Sequence, residues 1–143
     1  MTLYRIGELA KAAQISERTI DYYTKLGLIT PEKRTDKNYR LYNHETLGRL
    51  KRINQLKQEK YTLEEIKETL SKWDLLTDQP YVSDKLTALQ VHMEQLERDV
   101  RELSPILENM KPSQARRMLL NLVPQSAACI QALKMLLDHG PML

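Results

Sequence analysis

The sequence has only one cysteine, Cys129, among its 143 residues. One thiol excludes an internal disulfide and argues against a metal cage of four thiolates within one subunit. No apolar run approaches the roughly 20 residues that a membrane span requires. The first residues are charged and periodic, which leaves no room for the apolar core of a signal peptide. We therefore expect a cytoplasmic protein that contacts no membrane.

The usual signs of catalysis and metal binding are also missing. The sequence has no nucleophile beside a base, no glycine-rich phosphate loop and no carboxylate pair in a cleft-like context. One thiolate with three scattered histidines, His44, His92 and His139, makes a poor metal site. We therefore predict that the protein is not an enzyme, binds no metal and carries no cofactor.

Charge is present but unevenly distributed. The whole chain carries a net charge of +3, yet residues 33–60 hold nine basic and three acidic side chains. Such an excess suits a polyanionic partner, because each neutralised phosphate releases condensed counterions. The alternative is a solvated, lysine-rich surface, and charge alone leaves both interpretations open.

Two short helices are predicted near the start of the chain. The 3, 4, 7 spacing of apolar residues indicates a helix from Arg5 to Ala13. A second helix over residues 17–26 has Ser16 as its N-cap and ends at Gly27, a usual position for a left-handed C-cap. Two helices joined by so short a turn form a helix-turn-helix candidate. The outward face of the second helix is predicted to carry Glu17, Arg18, Asp21, Tyr22 and Lys25.

A small hairpin and two further helices follow. Residues 35–38 indicate a turn, and residues 39–42 alternate as in a strand, so together they predict a wing. Asn43 is positioned to cap a long helix with Leu47, Leu50, Ile53 and Leu56 facing inward. Thr62 and Glu65 form a capping box that opens the next helix.

After Pro80 the apolar residues are separated alternately by four and three positions. This heptad seam requires a partner helix, most simply from a second copy of the chain. Pro105 should kink or end the helix near Ser104. Two short apolar helices, near residues 114–123 and 125–139, are predicted on either side of Pro124. The seam consists of Val82, Leu86, Leu89, Met93, Leu96, Val100 and Leu103.

Three motifs in this order carry a family resemblance: "YRIGELAKAAQISERTIDYYTKLGLI", "NYRLYN" and "YTLEEIKETL". With them the chain resembles the MerR family of bacterial transcription regulators. The resemblance implies a mainly α fold with a winged helix-turn-helix domain over residues 1–75. A long antiparallel coiled-coil dimerisation helix over residues 80–111 and a short helical effector or dimer-capping tail over residues 112–143 are expected to follow.

The resemblance also implies a mechanism. A homodimer would bind a pseudo-palindrome in double-stranded DNA, between two promoter elements whose spacer is too long. It would bend and untwist the duplex so that RNA polymerase meets both elements on one face. The second helix would enter the major groove, the wing would follow the backbone, and the third helix would clamp a phosphate. The positions that match DNA-contacting residues are Arg18, Thr19, Tyr22, Tyr23, Tyr39, Arg40, Tyr42 and Lys57.

Three tyrosines have alternative roles. Tyr23 could be a core aromatic whose hydroxyl reaches solvent, Tyr42 could pin the wing to the core, and Tyr22 could also be structural.

Asp21 departs from the family pattern, because relatives commonly have arginine there. A carboxylate near phosphate is repelled, so we expect Asp21 to pair with Arg18 or Lys25, or to accept a hydrogen bond from a cytosine amino group.

The end of the chain does not reveal a signal. Metal-sensing relatives place thiols at the start of the dimer helix, where this sequence reads "PYVSDK". Cys129 is predicted to be a buried small hydrophobe, with a redox-sensing thiol as the alternative. Trp73 is expected to pack where the DNA-binding part meets the long helix. An alternative is an apolar effector pocket lined by Trp73, Met118, Leu122, Cys129 and Met135.

Two further functions remain open. The protein could be an architectural chromosome-binding protein without an effector, which predicts many weakly sequence-dependent sites. It could instead be a regulator controlled by a protein that docks on the apolar C-terminal tail, although that tail could simply thicken the dimer core.

Overall fold

The computed structural model describes residues 2–139. The described chain is mainly helical, as predicted, and divides by its internal contacts into two compact units after Leu96. No helix in the described part of the chain is long and apolar enough to cross a membrane. The elements in chain order are β1 (Leu3–Tyr4), α1 (Ile6–Ala13), α2 (Glu17–Leu26), β2 (Lys33–Arg34), β3 (Arg40–Asn43), α3 (Glu45–Gln58), α4 (Leu63–Leu76), α5 (Pro80–Leu107), α6 (Pro112–Leu120) and α7 (Val123–His139).

Local capping signals define the helix-turn-helix formed by α1 and α2. Gln14 ends α1 in the left-handed conformation, with φ of 58°. The Ser16 hydroxyl then accepts a hydrogen bond from the Thr19 backbone amide over 3.1 Å, which satisfies a donor at the start of α2. Gly27 ends α2 with φ of 81°, a conformation that costs glycine little. The predicted helices, N-cap and C-cap are confirmed.

The wing belongs to a three-stranded antiparallel sheet with the order β1, β3, β2. Its turn is closed by a hydrogen bond of 2.8 Å from the Asn38 amide to the Thr35 carbonyl, where Asn38 adopts φ of 69°. Strand β1 was not predicted, because two residues are too short to show a period. Tyr4 of β1 lies opposite Tyr42 of β3, so the edge of the wing is fixed to the start of the chain.

Helices α3 and α4 supply much of the core of the first unit. The Asn43 side chain accepts a hydrogen bond from the Thr46 amide over 3.2 Å and so caps α3 as predicted. Thr62 and Glu65 form the predicted capping box of α4. Each fully buried aliphatic side chain contributes roughly 1.5–3 kcal/mol to stability. The side chains with at most 1% exposure in this core are Leu9, Ile20, Leu28, Tyr42, Ile53, Leu56, Ile66, Leu70 and Val91.

The first half of α5 packs on the rest of the first unit largely through polar groups. Ser83 and Thr87 are buried on this face together with Ala88 and Val91. The Trp73 indole donates a hydrogen bond of 2.9 Å to the side-chain oxygen of Gln90, which confirms the predicted position of Trp73 between the two parts. Of the predicted seam residues, Val82 and Leu86 are half-buried in the single chain, whereas those from Leu89 to Val100 are exposed.

Prolines lie inside two helices, and the boundary predicted at the second of them is wrong. Helix α5 continues through Pro105 to Leu107, so of the two effects expected of this proline, a kink or an end near Ser104, the end is not found. Pro124 lies in the first turn of α7 rather than between two helices. A proline is tolerated there because the first turn of a helix has no partner for its amide hydrogen. Helix α6 accordingly ends at Leu120.

The second unit buries little of its apolar surface in a single chain. All residues from 116 to 139 are exposed, and Cys129 is among them. The predicted burial of Cys129 is therefore wrong for the single chain. The end of α5 with the two helices α6 and α7 is too little structure to enclose a core, because too much of its surface remains open to water.

Candidate nucleic-acid interface

The outward face of α2 presents a shallow concave surface. Arg18 is exposed, and Tyr22 exposes 50% of its surface. Both types of side chain are suited to DNA, because guanidinium groups and tyrosine hydroxyls donate hydrogen bonds to phosphates or bases. The concavity has a volume of about 370 Å³ and is lined by Arg18, Thr19, Asp21, Tyr22 and Lys25.

Tyr23 and Lys57 come together beside this face. The Tyr23 ring is buried, with 5% exposure, and its hydroxyl accepts a hydrogen bond from the Lys57 ammonium over 3.4 Å. The centroids of the Tyr22 and Tyr23 rings lie 6.4 Å apart. The structure therefore favours the alternative of a core aromatic with a polar tip for Tyr23, and that tip lies next to an exposed ammonium group.

Tyr42 is fully buried, which favours its alternative role as a pin for the wing. Its hydroxyl lies 2.8 Å from the Thr24 hydroxyl. Because Thr24 donates its own proton to the Ile20 carbonyl, the Tyr42 hydroxyl acts as the donor in this contact. Strand β3 is thereby tied to the last turn of α2. In this conformation the ring offers no accessible surface to a duplex.

The remaining predicted residues lie at the wing and the start of α2. Tyr39 follows the wing turn and exposes 60% of its surface. Arg40 is half-buried in β3, and Thr19 is half-buried with its hydroxyl 2.8 Å from that of Ser16. Tyr39 is thus accessible to a ligand, whereas Thr19 already serves the local structure of the helix start.

Asp21 carries two ion pairs. One carboxylate oxygen lies 2.7 Å from an Arg40 nitrogen, and the other lies 3.0 Å from the Lys25 ammonium. The hydrogen bond from Arg40 and then that from Lys25 hold the pKa of Asp21 below its usual value. The same contact raises the pKa of Arg40. Pairing with Lys25 was predicted, the alternative with Arg18 is not seen, and the pair with Arg40 was missed.

A larger groove lies between the start of α1 and the wing, with a volume of about 670 Å³. Sequence reasoning did not single out Arg5, Lys11 or Arg34 as members of one site. They meet because β1 pairs with β3, and a two-residue strand leaves little sequence signal. Four lining residues are cationic, so the groove suits a chain of phosphates. Its lining residues are Arg5, Ile6, Gly7, Glu8, Lys11, Arg34, Asn38, Tyr39 and Arg40.

The residues predicted for an effector pocket fall in two different units. Trp73 belongs to the first unit, where Lys72 places its ammonium 4.5 Å from the centroid of the indole ring. Met118, Leu122, Cys129 and Met135 are exposed residues of the second unit. An effector pocket that combines them stays a prediction. Within residues 2–139, no three His, Cys, Asp or Glu side chains are grouped to hold a metal ion.

Comparison with known proteins agrees with this geometry. The family model described as MerR HTH family regulatory protein matches residues 4–73. The HTH-type transcriptional regulator CueR of Bacillus subtilis is 32% identical over 135 residues, which are 94% of this chain and 92% of that protein. The chain belongs to the MerR family. The predicted family, and with it a DNA-binding transcription regulator, is therefore confirmed.

Other MerR proteins are similar over part of the chain. The mercuric resistance operon regulatory protein of Bacillus cereus is 35% identical over 103 residues, which are 72% of this chain and 76% of that protein. The transcriptional regulator ZntR of Escherichia coli K12 is 46% identical over 69 residues, 48% of this chain and 49% of that protein. The identity is thus highest where the alignment is restricted to about half of the chain.

Two solved structures of transcriptional regulators share the fold. SkgA from Caulobacter crescentus aligns with a TM-score of 0.54 at 21% identity, over 86% of this chain and 99% of that one. HiNmlR, a MerR family regulator lacking the sensor domain and bound to promoter DNA, aligns with a TM-score of 0.53 at 20% identity. The alignment covers 75% of this chain and 80% of that one. At these identities the comparison supports the winged helix-turn-helix fold.

Proposed function

We propose that the protein acts as a homodimer that binds a dyad-symmetric operator within an overlong promoter spacer. It would distort the duplex so that RNA polymerase contacts both promoter elements. The signal for this response would be received by the residues that follow the DNA-binding part in the sequence. Because its partner is chromosomal DNA, it would act in the cytoplasm, as a regulator and not as an enzyme. The observation that carries this proposal is the exposed face of α2, with Arg18 and Tyr22, beside a groove at the wing that is lined by four cationic residues.

The arrangement around α2 supports sequence reading by this helix. Arg18 and Tyr22 project from its outward face, where a guanidinium can contact guanine or phosphate. Tyr39 and the cations of the groove lie on the wing side and suit the neighbouring backbone. Lys57, held near the tip of Tyr23, supplies a further point charge for phosphate.

The exposed apolar face of α5 supports the homodimer. Leu89, Met93, Leu96 and Val100 follow the heptad spacing and each expose between 42% and 60% of their surface in the single chain. Leaving such a stripe in water is unfavourable, and a second copy of the helix would cover it. Two DNA-binding units held in a dimer would match a dyad-symmetric operator.

Genome-wide occupancy in the source cells tests the function. We expect one or a few sites, each a dyad inside a long promoter spacer. Arg18→Ala should lose those sites while the protein remains folded and dimeric, which separates base reading from general stability. A matched control is Lys85→Ala, which removes an exposed cation from α5, away from the proposed surface.

Two alternative functions give different results in that experiment. Hundreds of diffuse sites would favour an architectural chromosome-binding protein. A few sites whose occupancy depends on another protein would favour a partner that docks on the tail, where Leu119, Leu122, Ile130 and Leu136 are exposed.

A further inference from the structure

The interface contains one feature that is unfavourable for DNA binding: a carboxylate at the centre of its reading surface. Asp21 lies on the outward face of α2, one residue before Tyr22 and three after Arg18. It lines the same concavity as both of them. A carboxylate brought close to phosphates is repelled, so a surface selected only for affinity would not place one there.

Asp21 also holds two cations that could otherwise contact DNA. Its two oxygens are each taken by one partner, Arg40 at 2.7 Å and Lys25 at 3.0 Å. The Asp21 side chain remains 38% exposed and that of Arg40 20% exposed. The pair is part-buried but open to solvent on the side of Asp21, so a phosphate can compete with Asp21 for Arg40. The contact therefore restrains Arg40 without locking it in place.

We propose that Asp21 is a specificity-determining residue that makes release of Arg40 to the DNA backbone conditional on a C·G base pair in the major groove. This inference rests on the proposed function. The exocyclic amino group of cytosine is the donor that a carboxylate accepts from in the major groove. When that donor meets Asp21, the carboxylate stays satisfied and Arg40 can move to a phosphate.

On other sequences the exchange is incomplete. If Arg40 leaves for a phosphate, the negative charge of Asp21 is compensated by Lys25 alone. It then faces the acceptors of guanine or thymine, or the amino group of adenine, whose neighbouring N7 acceptor repels the second carboxylate oxygen. If Arg40 stays, one phosphate contact is not made. In both cases a duplex without the C·G pair is bound more weakly than one that has it. Asp21 thus discriminates by weakening the wrong complexes as well as by stabilising the right one.

Asp21→Asn keeps the size and much of the shape of the side chain but removes its charge. The amide still carries an acceptor, yet it also presents a donor and no longer holds Arg40 by charge. We expect the variant to bind a pool of random duplexes about fivefold more tightly, with a salt slope steeper by about 0.9 for the additional phosphate contact. Preference for C·G at one position of each half-site should fall by about tenfold.

Glu17→Gln is the matched control. It removes the same charge from the first turn of the same helix, and no ion pair of Glu17 is found in the described part of the chain. We expect it to raise general affinity slightly by charge alone and to leave every base preference unchanged. Melting curves of both variants would confirm that α2 remains folded.

The experiment is selection from a duplex pool with a randomised core, using the full-length wild-type protein, Asp21→Asn and Glu17→Gln. Fluorescence anisotropy on the unselected pool at several salt concentrations accompanies it. A wild-type motif that loses its C·G preference at one half-site position only in Asp21→Asn supports the inference. An identical motif and identical pool affinity in Asp21→Asn would overturn the inference while the proposed function stands. If the wild-type protein enriches no motif, the proposed function fails and this inference fails with it.

Discussion

The Tyr61 hydroxyl donates a hydrogen bond to the carboxylate of Glu94, 33 residues further along the chain in α5. The side-chain amide of Gln90 approaches the same hydroxyl at 3.4 Å. Burial, and then the hydrogen bond to Glu94, raise the pKa of Tyr61 to about 12. The connection between α3 and α4 is thus held to the long helix by a contact that requires a protonated phenol.

Tyr61→Phe should lower the free energy of unfolding by about 1 kcal/mol at pH 8, because it removes one hydrogen bond and leaves Glu94 without this donor. In the unfolded chain the phenol ionises near pH 10, so the wild-type protein loses stability as the pH rises from about 10 to 12. The variant should lack this loss. Urea unfolding at fixed protein concentration, followed by Trp73 fluorescence, measures both effects. Tyr39→Phe, at the exposed wing, should behave like the wild-type protein.

The contacts of the Asp74 carboxylate predict that the free energy of unfolding decreases at acidic pH. Burial acts to raise its pKa, but hydrogen bonds from Arg49 at 2.9 Å and Ser83 at 2.7 Å outweigh it, so the pKa lies below the usual value. The unfolded chain therefore takes up this proton first, and stability falls as the pH drops through about 4 towards the folded pKa. Asp74→Asn should cost about 1 kcal/mol at pH 7 and show a shallower acid transition. An equal acid transition in Asp74→Asn and Asp78→Asn would contradict this assignment.

Leu96→Glu should separate the dimer into monomers. Leu96 lies on the heptad face and is 60% exposed in the single chain, so a carboxylate there would have to be buried against the partner helix. We expect the dissociation constant to rise by about 100-fold or more, which corresponds to at least about 2.7 kcal/mol. Analytical ultracentrifugation across a concentration series measures it. Leu75→Glu, at an 87% exposed position of α4, is the control and should leave the dimer intact.

Lys57→Ala and Arg40→Ala should each weaken DNA binding and reduce the salt slope by about 0.9, because each removes one phosphate contact. For Lys57→Ala the loss should be similar for operator and unrelated duplexes, since phosphate contacts carry no sequence information. For Arg40→Ala it should be larger on the operator, because we propose that Asp21 releases Arg40 to a phosphate there. Anisotropy titrations at four salt concentrations measure the slope. An unchanged slope in either variant would show that the assigned clamp or wing residue does not contact the backbone.

The elements that sequence reasoning predicted well are those fixed by neighbouring residues. The Ser16 cap, the Gly27 terminus and the Thr62–Glu65 capping box depend on residues three or four positions apart, so the pattern is visible in the sequence. The apolar stripes of α3 and α4 could be predicted for the same reason, because their period is local.

The features that were missed depend on residues distant in sequence. The ion pair between Asp21 and Arg40 joins positions 19 residues apart, and the packing of β3 against α2, as in the contact between Tyr42 and Thr24, brings them together. Burial of Tyr42 and exposure of Cys129 are likewise set by what packs on each of them. An apolar neighbourhood in the sequence does not say whether another element of the same chain will cover it.

The bond between Tyr42 and Thr24 has a consequence for the thermodynamics of recognition. It joins the wing strand to the last turn of α2 through a ring with no exposed surface. The two elements that we propose contact DNA are therefore already held together in the free protein, and little conformational entropy remains to be lost on binding. Because the protein surface is preorganised, we expect the DNA rather than the protein to change conformation when the complex forms.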